Sequence, residues 1–262
     1  MATDTIAKPQ TSNLKKVQTV LVSQPQPQPQ LKSPYADLES RYGVKVDFRT
    51  FIHVEGIEAK DFRKQRVRPD EYTAIIFNSK NAVTHFFRLC EEMRIKMSEE
   101  IKYFCLTEQI ANYLQKFIVF RKRKVFNGIK SIQELGPSLL RHKAKEKYLL
   151  PCSNLGSLEI SNYLKEIGLE FQEAVMFQTV CSDLSDLSDV TYDVLVFFSP
   201  LDIKSLYENF PDFKQNETRI AVSGAATLKA AQEHGLLVNI QTSPEVPSVA
   251  MAIENYVKQV NV

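Results

Sequence analysis

Small hydroxyl residues follow several predicted strands of this 262-residue chain. Ser153 lies three residues beyond a predicted strand at Tyr148–Leu150, and the others lie at or next to the ends of theirs: Ser23, Ser79, Thr107, Ser199 and Ser223. From Ser79 onward each turn opens a predicted helix, whose first N–H groups are unpaired and carry partial positive charge. Such groups bind carboxylate or phosphate without a charged side chain. Any one of these residues is typical of an ordinary helix cap, but their repetition indicates a ligand with many anionic groups.

Signatures of several catalytic classes are missing from the sequence. It has no GxSxG elbow, no Walker phosphate loop and no GxGxxG, and it contains only eight glycines. Neither an HExxH motif nor a paired carboxylate constellation stands out. If the protein is an enzyme, we therefore expect it to hold and shape a substrate rather than to use a nucleophile.

The cysteines and histidines do not suggest a metal site. Cys90, Cys105, Cys152 and Cys181 form no CxxC pair, which favours free, buried or half-buried thiols in a reducing compartment. The four histidines have no partners at metal-ligand spacing. We expect no bound metal.

A strand, a tight turn and a helix are predicted in the segment Asp193–Phe210. Its uninterrupted apolar run, Val194–Phe198, is typical of a strand buried on both faces. Ser199 is a favoured N-cap and Pro200 a favoured first helical residue, so a helix should begin at once. The hydroxyl of Ser199 should therefore lie at the carboxyl end of the strand.

The same order of elements recurs in Thr73–Phe87, where Ala74–Phe77 is the predicted strand and Asn78-Ser79 the turn. Strands and helices alternate along the whole chain, which predicts mostly parallel sheets in two similar α/β domains. The acidic, turn-rich segment Ser182–Val190 marks a boundary. In such sheets ligands bind beyond the carboxyl ends of the strands.

One run of four consecutive cations follows an apolar segment of the chain. Phe117–Phe126 is predicted to be an apolar strand that continues into four cations, Arg121–Lys124. The run is either a solvated strand end or a feature that attracts an anionic ligand. It lacks interleaved stacking aromatics and the net charge is only +2, so we do not expect nucleic acid to bind.

The hydropathy pattern predicts a protein outside the membrane. No apolar run approaches the roughly 20 residues that span a bilayer. The first residues lack the apolar core of a signal peptide. We expect a cytoplasmic monomer without a membrane partner.

Several segments together resemble uroporphyrinogen-III synthase, in the divergent form seen in Bacteroidetes-type bacteria. AIIFNSKNAV, residues 74–83, resembles that family's apolar strand and Ser-x-x-Ala-Val turn. FFSPLDI resembles its Phe-Ser-Pro-Ser-Gly turn, and AVSGAATLKAAQEHGL its Gly-Pro-Thr-Thr-Ala helix start. The segment from LLPCSN to VMFQTV resembles its run from a strand to Tyr-x-Thr-Val, and Thr242–Ala252 resembles its final Ser-Pro-Thr motif.

The resemblance implies two flavodoxin-like α/β domains joined by a two-stranded linker. One would be discontinuous, residues 1–51 with 182–262, and the other would be residues 52–181. The joining strands would lie near Asp47–Val54 and Ala174–Val180. The substrate would bind in the cleft between the domains.

The resemblance also implies the reaction, which belongs to the biosynthesis of tetrapyrroles such as heme. The family converts hydroxymethylbilane, a linear tetrapyrrole with eight carboxylates. The substrate loses water and closes through a spiro intermediate that inverts the last pyrrole ring, and no cofactor is needed. Substrate-binding residues are expected at Ser23, Asn78, Ser79, Thr107, Ser153, Phe177, Ser199, Gly224 and Thr227.

The sequence departs from the family pattern in four places. Phe177 stands where the family has a tyrosine that is a candidate proton donor, so no catalytic residue is assigned. Ala226 and Ile110 replace threonines, and Ser23-Gln24 replaces a Thr-Arg pair. These departures motivate one alternative, a protein of the same fold that binds a tetrapyrrole or another polyanion with weakened or no turnover.

Overall fold

The computed structural model describes residues 15–28 and 33–261 and has mixed α/β architecture. Its strands are β1 (Thr19–Val22), β2 (Lys45–Phe48), β3 (Ile52–Gly56), β4 (Ala74–Phe77), β5 (Lys102–Cys105), β6 (Val125–Asn127), β7 (Tyr148–Ser153), β8 (Phe171–Cys181), β9 (Val194–Phe197), β10 (Arg219–Val222) and β11 (Val238–Gln241). Its α-helices are α1 (Ala36–Tyr42), α2 (Ala59–Lys64), α3 (Lys80–Glu92), α4 (Glu108–Leu114), α5 (Gly136–His142), α6 (Leu158–Glu166), α7 (Pro200–Asn209), α8 (Ala225–Glu233) and α9 (Val249–Val260). None of the helices in these residues has the length and apolar content that crossing a membrane requires.

The chain divides into two compact units, each with its own sheet. Unit 1 combines Met1–His53 with Cys181–Val262, and unit 2 is Val54–Val180. The two strand orders are β11-β10-β9-β1-β2 and β3-β8-β7-β4-β5-β6. The pairs from β11 to β2 and from β8 to β6 are parallel, which confirms the fold class expected from the alternation of strands and helices.

Both sheets are buried on both faces, because alternate side chains of each central strand enter opposite cores. In unit 1, Val194 and Val196 pack on the α9 side, whereas Leu195 packs on the α7 side. In unit 2, Ile75 and Phe77 face the side of α3 and α4. The uninterrupted apolar runs in the sequence reflect this two-sided burial.

The strand-end hydroxyls start helices as the sequence predicts at three turns. Ser79 Oγ accepts a hydrogen bond from Ala82 N at 3.1 Å, and Thr107 Oγ1 accepts one from Ile110 N at 3.4 Å. At α7 the cap is reciprocal: Asp202 N donates to Ser199 Oγ at 3.3 Å, and Ser199 N donates to Asp202 Oδ2 at 2.9 Å. This capping box fixes the start of the helix.

Two strands predicted from the sequence have different bounds in the structure. Phe117–Phe126 is not a continuous strand, because only Val125–Asn127 pairs with β5 and the preceding residues form turns. Phe117 stacks on Phe87 at 5.0 Å, and Lys124 Nζ is bound by Glu99 O and the Glu100 carboxylate. These contacts anchor the two ends of a loop, and Val119 between them is exposed.

The strand predicted at Tyr148–Leu150 extends to Ser153. Its added residues continue the parallel ladder with β8. The following helix, α6, begins only at Leu158, so Ser153 does not cap it. Its Oγ instead accepts a hydrogen bond from Leu155 N at 3.3 Å.

Replacing Phe77 by alanine should strongly destabilise unit 2. The side chain is fully buried, and its ring centroid lies 5.5 Å from that of Phe86 and 6.1 Å from that of Tyr103. We expect Phe77→Ala to lower the free energy of unfolding by about 3–5 kcal/mol in urea titrations. Val119, 82% exposed, supplies the control, and Val119→Ala should change stability by less than about 0.5 kcal/mol. Equal effects of the two variants would contradict this description of the core.

Removing the Ser199 hydroxyl should weaken the start of α7. Ser199→Ala loses the acceptor for Asp202 N, so we expect a loss of about 1 kcal/mol in the free energy of unfolding. Ser199→Asn keeps an acceptor at the cap and should retain most of the stability. If alanine and asparagine were equally stable in the same titration, the hydroxyl would not be the stabilising group.

Candidate functional site

Strand-end residues of unit 1 come together because three neighbouring strands run in parallel. β10, β9 and β1 are adjacent, and their carboxyl ends lead into Ser223, Ser199 and Ser23 respectively. The expected binding residues Ser199, Gly224 and Ser23 therefore share one edge of the sheet.

Two of the unit 1 residues expected to bind substrate are buried. Ser23 is 3% exposed and Thr227 is 2% exposed. The Ser23 hydroxyl makes no hydrogen bond of normal geometry within the described residues, but it lies close enough to Asp202 to act on that carboxyl. Burial raises the pKa of Asp202, and the N–H groups of Phe198 and Ser199 together with the Ser23 hydroxyl oppose the rise. The side chains of Ser23, Thr227 and Asp202 therefore lie below the surface of this edge.

The start of α8 is the most open part of this edge. Gly224 has φ +84°, a conformation that favours glycine, and its N–H donates to Thr242 Oγ1 at 3.2 Å. Ala225 and Ala226 are exposed and carry no side chain that could cover the backbone. The N–H groups of Ala225, Ala226 and Thr227 have no acceptor in the part of the chain that the structure describes. Three amides at the positive end of a helix dipole are thus free to bind an anion.

The α7 start offers fewer such groups, although Ser199 was expected to bind substrate. Pro200 has no N–H, and the N–H groups of Phe198 and Ser199 both donate to Asp202 Oδ2 at 2.9 Å. The Asp202 N–H is taken by Ser199. Reciprocal capping has therefore satisfied donors that would otherwise face a ligand.

Unit 2 gathers its strand-end residues in the same way. β8, β7, β4 and β5 are consecutive parallel strands, so Phe177, Ser153, Asn78 and Thr107 lie along one edge. Ser153 is paired with Phe177 across the β7–β8 ladder. Asn154 N donates to Phe177 O at 3.1 Å and continues this ladder.

The start of α3 resembles that of α8 in its free donors. Ser79 Oγ caps Ala82 N, whereas the N–H groups of Lys80 and Asn81 have no acceptor within the described residues. Lys80 is exposed, and its Nζ lies 5.9 Å from the centroid of the Tyr113 ring. The first turn of α3 therefore combines unpaired amides with one side-chain cation.

Asn78 is held at this edge by a residue far along the chain. Its Nδ2 contacts Ser157 Oγ at 2.6 Å, and its Oδ1 is buried with no partner in the described residues. A hydroxyl both donates and accepts, so the contact with Ser157 is equally consistent with the amide turned by 180°. That orientation leaves a buried N–H donor unpaired, which suits an anionic ligand.

Phe177 is packed rather than open to solvent. It is 6% exposed, and its ring stacks on the His85 ring with centroids 5.3 Å apart. A phenyl ring cannot exchange a proton, so any proton transfer or hydrogen bonding at this position must involve neighbouring residues.

Three of the four cysteines are buried and do not supply a nucleophile. Burial raises the pKa of Cys90 and of Cys105 to about 12 and that of Cys152 to about 11. These thiols remain protonated at neutral pH and are poor nucleophiles. Within the described residues there is also no group of three or more His, Cys, Asp or Glu side chains suited to a metal ion.

Sequence reasoning missed several residues that shape these edges. Asp202 could have been found, because an acidic residue three positions after a capping serine is a known pattern. Ser157 and His85 have no such signal. Their roles depend on contacts with Asn78 and Phe177, which are distant along the chain.

Comparisons with known proteins show which family and which solved structures this chain is similar to. The family model for uroporphyrinogen-III synthase HemD matches residues 33–251. Uroporphyrinogen-III synthetase from Helicobacter pylori has a similar fold, with a TM-score of 0.56, 20% identity, and coverage of 92% of this chain and 99% of that one. A mutant uroporphyrinogen III synthase from Thermus thermophilus gives a TM-score of 0.48 at 12% identity, covering 94% and 99% of the two chains. No curated protein matches.

The family match spans most of the chain, and the Helicobacter structure has the same two-domain fold. These findings support uroporphyrinogen-III synthase as the function, and none of them favours a tetrapyrrole-binding protein with weakened turnover. The chain belongs to the uroporphyrinogen-III synthase family.

Proposed function

We propose that this chain is a cyclising hydro-lyase that converts hydroxymethylbilane into uroporphyrinogen III. The observation that carries the proposal is the family match over residues 33–251. The sheet edges support it chemically, because each presents free helix amides suited to carboxylates. We further propose that the protein acts as a cytoplasmic monomer, without nucleic acid or membrane partners.

Substrate carboxylates are bound mainly at the starts of α8 and α3. Ala225, Ala226 and Thr227 supply backbone N–H groups in unit 1. Lys80 and Asn81 supply them in unit 2, and the Lys80 ammonium adds attraction. Of the side chains expected to bind substrate, Ser79 and Ser199 serve as helix caps that orient these amides, and Thr227 contributes its backbone rather than its buried hydroxyl.

Catalysis in this proposal depends on holding the linear tetrapyrrole in a reactive shape. The substrate must lose its hydroxyl as water and close with the last ring inverted, in competition with direct closure. Fixing reacting groups in a favourable geometry can contribute roughly 7–11 kcal/mol in well-oriented reactions. Preorganised amide dipoles need no rearrangement as charge develops, so they can stabilise the transition state as well as bind the substrate.

The product isomer tests the proposed function. We expect the purified full chain, given hydroxymethylbilane, to form the III isomer, because held carboxylates select the inverted closure. Oxidised products would be separated by chromatography, with heat-denatured protein as the control that yields the uncatalysed I isomer. Formation of only the I isomer would refute activity.

A parallel fluorescence titration identifies the alternative, since tetrapyrrole binding without the III isomer describes a binding protein that lacks turnover.

A negative charge at the start of α8 should weaken substrate binding without lowering the stability of the fold. Asp is favourable at a helix N-terminus, so Ala225→Asp should leave the free energy of unfolding unchanged or raise it by about 0.3–1 kcal/mol. The same charge repels substrate carboxylates, so we expect KM for hydroxymethylbilane to rise about tenfold or more. Ala225→Asn, matched in shape and uncharged, should keep nearly the original KM.

The start of α3 allows the same experiment with a native asparagine. Asn81 is exposed, and Asn81→Asp adds charge with almost no change in shape. We expect KM to rise here also, with the increase shrinking at higher ionic strength because salt screens exposed charges. Unchanged KM in both aspartate variants would mean that substrate carboxylates bind elsewhere.

A further inference from the structure

A histidine lies next to the strand-end residues of unit 2. His85, on α3, stacks on Phe177 with ring centroids 5.3 Å apart and planes inclined by 21°. Phe177 is paired with Ser153 at the carboxyl end of β7, so the imidazole lies close to the edge that includes Asn78 and Ser79. His85 is only partly buried. A polar, titratable ring thus covers an aromatic one beside the proposed carboxylate-binding edge.

Arg88 determines which ring nitrogen of His85 carries the proton. Arg88 Nε lies 3.3 Å from His85 Nδ1. A guanidinium has donors only and stays protonated, so Nδ1 must be the acceptor. The neutral imidazole therefore carries its proton on Nε2. Burial and the nearby Arg88 charge lower the pKa of His85, which favours this neutral form at pH 7.

Arg88 is itself held by contacts that leave it little freedom. Its Nη1 donates to Glu92 Oε1 at 2.6 Å and its Nη2 donates to Ile57 O at 2.7 Å. Gly56 makes room for this arrangement, because a Cβ there would lie 2.6 Å from Arg88 Nη2. The tautomer of His85 is thus set by a guanidinium anchored to the chain just after β3.

The remaining donor of the ring is available to a ligand. Among residues 15–28 and 33–261, no group accepts a hydrogen bond from His85 Nε2. If His85 served only to stack on Phe177, another aromatic ring would suffice. The contact with Arg88 requires only a hydrogen-bond acceptor at Nδ1. Neither role explains a fixed donor that points away from both partners.

We propose that His85 Nε2–H donates a hydrogen bond to a carboxylate or hydroxyl oxygen of the substrate. This role rests on the proposed function, since it requires the tetrapyrrole to bind along the edge that includes Asn78 and Ser79. His85 contacts the substrate directly, whereas Arg88 is a positioning residue that fixes the tautomer. No proton is transferred in this interaction.

Three substitutions at His85 distinguish the donor from the structural roles. A glutamine amide reaches the position of Nε2 and keeps a donor there, whereas an asparagine amide reaches only the position of Nδ1. Phenylalanine keeps the stacking and removes both nitrogens. We expect His85→Gln to retain kcat/KM within about threefold, and His85→Asn and His85→Phe to lose about 10- to 100-fold, as for a hydrogen bond to a charged group.

The outcomes separate the inference from the proposed function. Melting temperatures close to that of the wild type would show that the variants fold. Full activity of His85→Asn with loss of activity in His85→Gln would mean that the residue serves only the Arg88 contact. Full activity of all three variants would mean that His85 has no role. Either result overturns the inference.

If the wild type makes no III isomer, the proposed function fails, and titration of hydroxymethylbilane against the same variants still tests the donor. Absence of binding by the wild type overturns both.

Gly56→Ala tests the positioning role of Arg88. The added Cβ pushes on the guanidinium and frees Nδ1 to take the proton, so we expect kcat/KM to fall several-fold. In the His85→Gln background the same change should have no further effect, because the glutamine donor does not depend on a tautomer. Additive losses in the double variant would show that Gly56 acts by another route and that Arg88 does not position this donor.

Discussion

Parallel pairing between neighbouring strands is the constraint on which the rest of this structure depends. A parallel ladder directs the carboxyl ends of its strands to one edge, and a helix that directly follows such a strand starts at that edge. This holds for β10 and β9 in unit 1 and for β4 and β5 in unit 2. The starts of α8 and α3 owe their positions to this arrangement. Without it, the same Ser, Gly and Thr residues would cap unrelated helices on different surfaces.

Capping determines which of these helix starts can bind a ligand. An N–H group that already donates to a side chain is not available to a substrate. At α7 the Ser199–Asp202 capping box satisfies several donors, and the helix gains stability at the expense of binding capacity. At α8 the N-cap is Gly224, which has no side chain, so the first amides stay free. A backbone N–H group can serve either a cap or a ligand, and the starts of α7 and α8 differ in how many of these groups remain free.

Local patterns anticipated much of the fold because they report interactions between near neighbours. The run Val194–Phe198 followed by Ser-Pro predicted β9 and α7 closely, since burial and capping both act within a few residues. The strand predicted at Phe117–Phe126 was wrong, because Phe117 packs on Phe87, Val119 is exposed, and strand pairing begins only at Val125. An apolar run alone cannot distinguish these outcomes. The strand β7 was underestimated at its carboxyl end because its last residues pair with β8, which lies about twenty residues later.

The sequence alone determined the alternation of strands and helices, the capped turns and the resemblance to uroporphyrinogen-III synthase. All of these depend on residue types at short spacing. Only the tertiary structure decided which strand ends are neighbours, that Ser23 and Thr227 are buried, and that Arg88 reaches Ile57 O to fix the proton on His85. Such contacts join residues that are distant along the chain, and their energies depend on burial and geometry that no short stretch of sequence specifies.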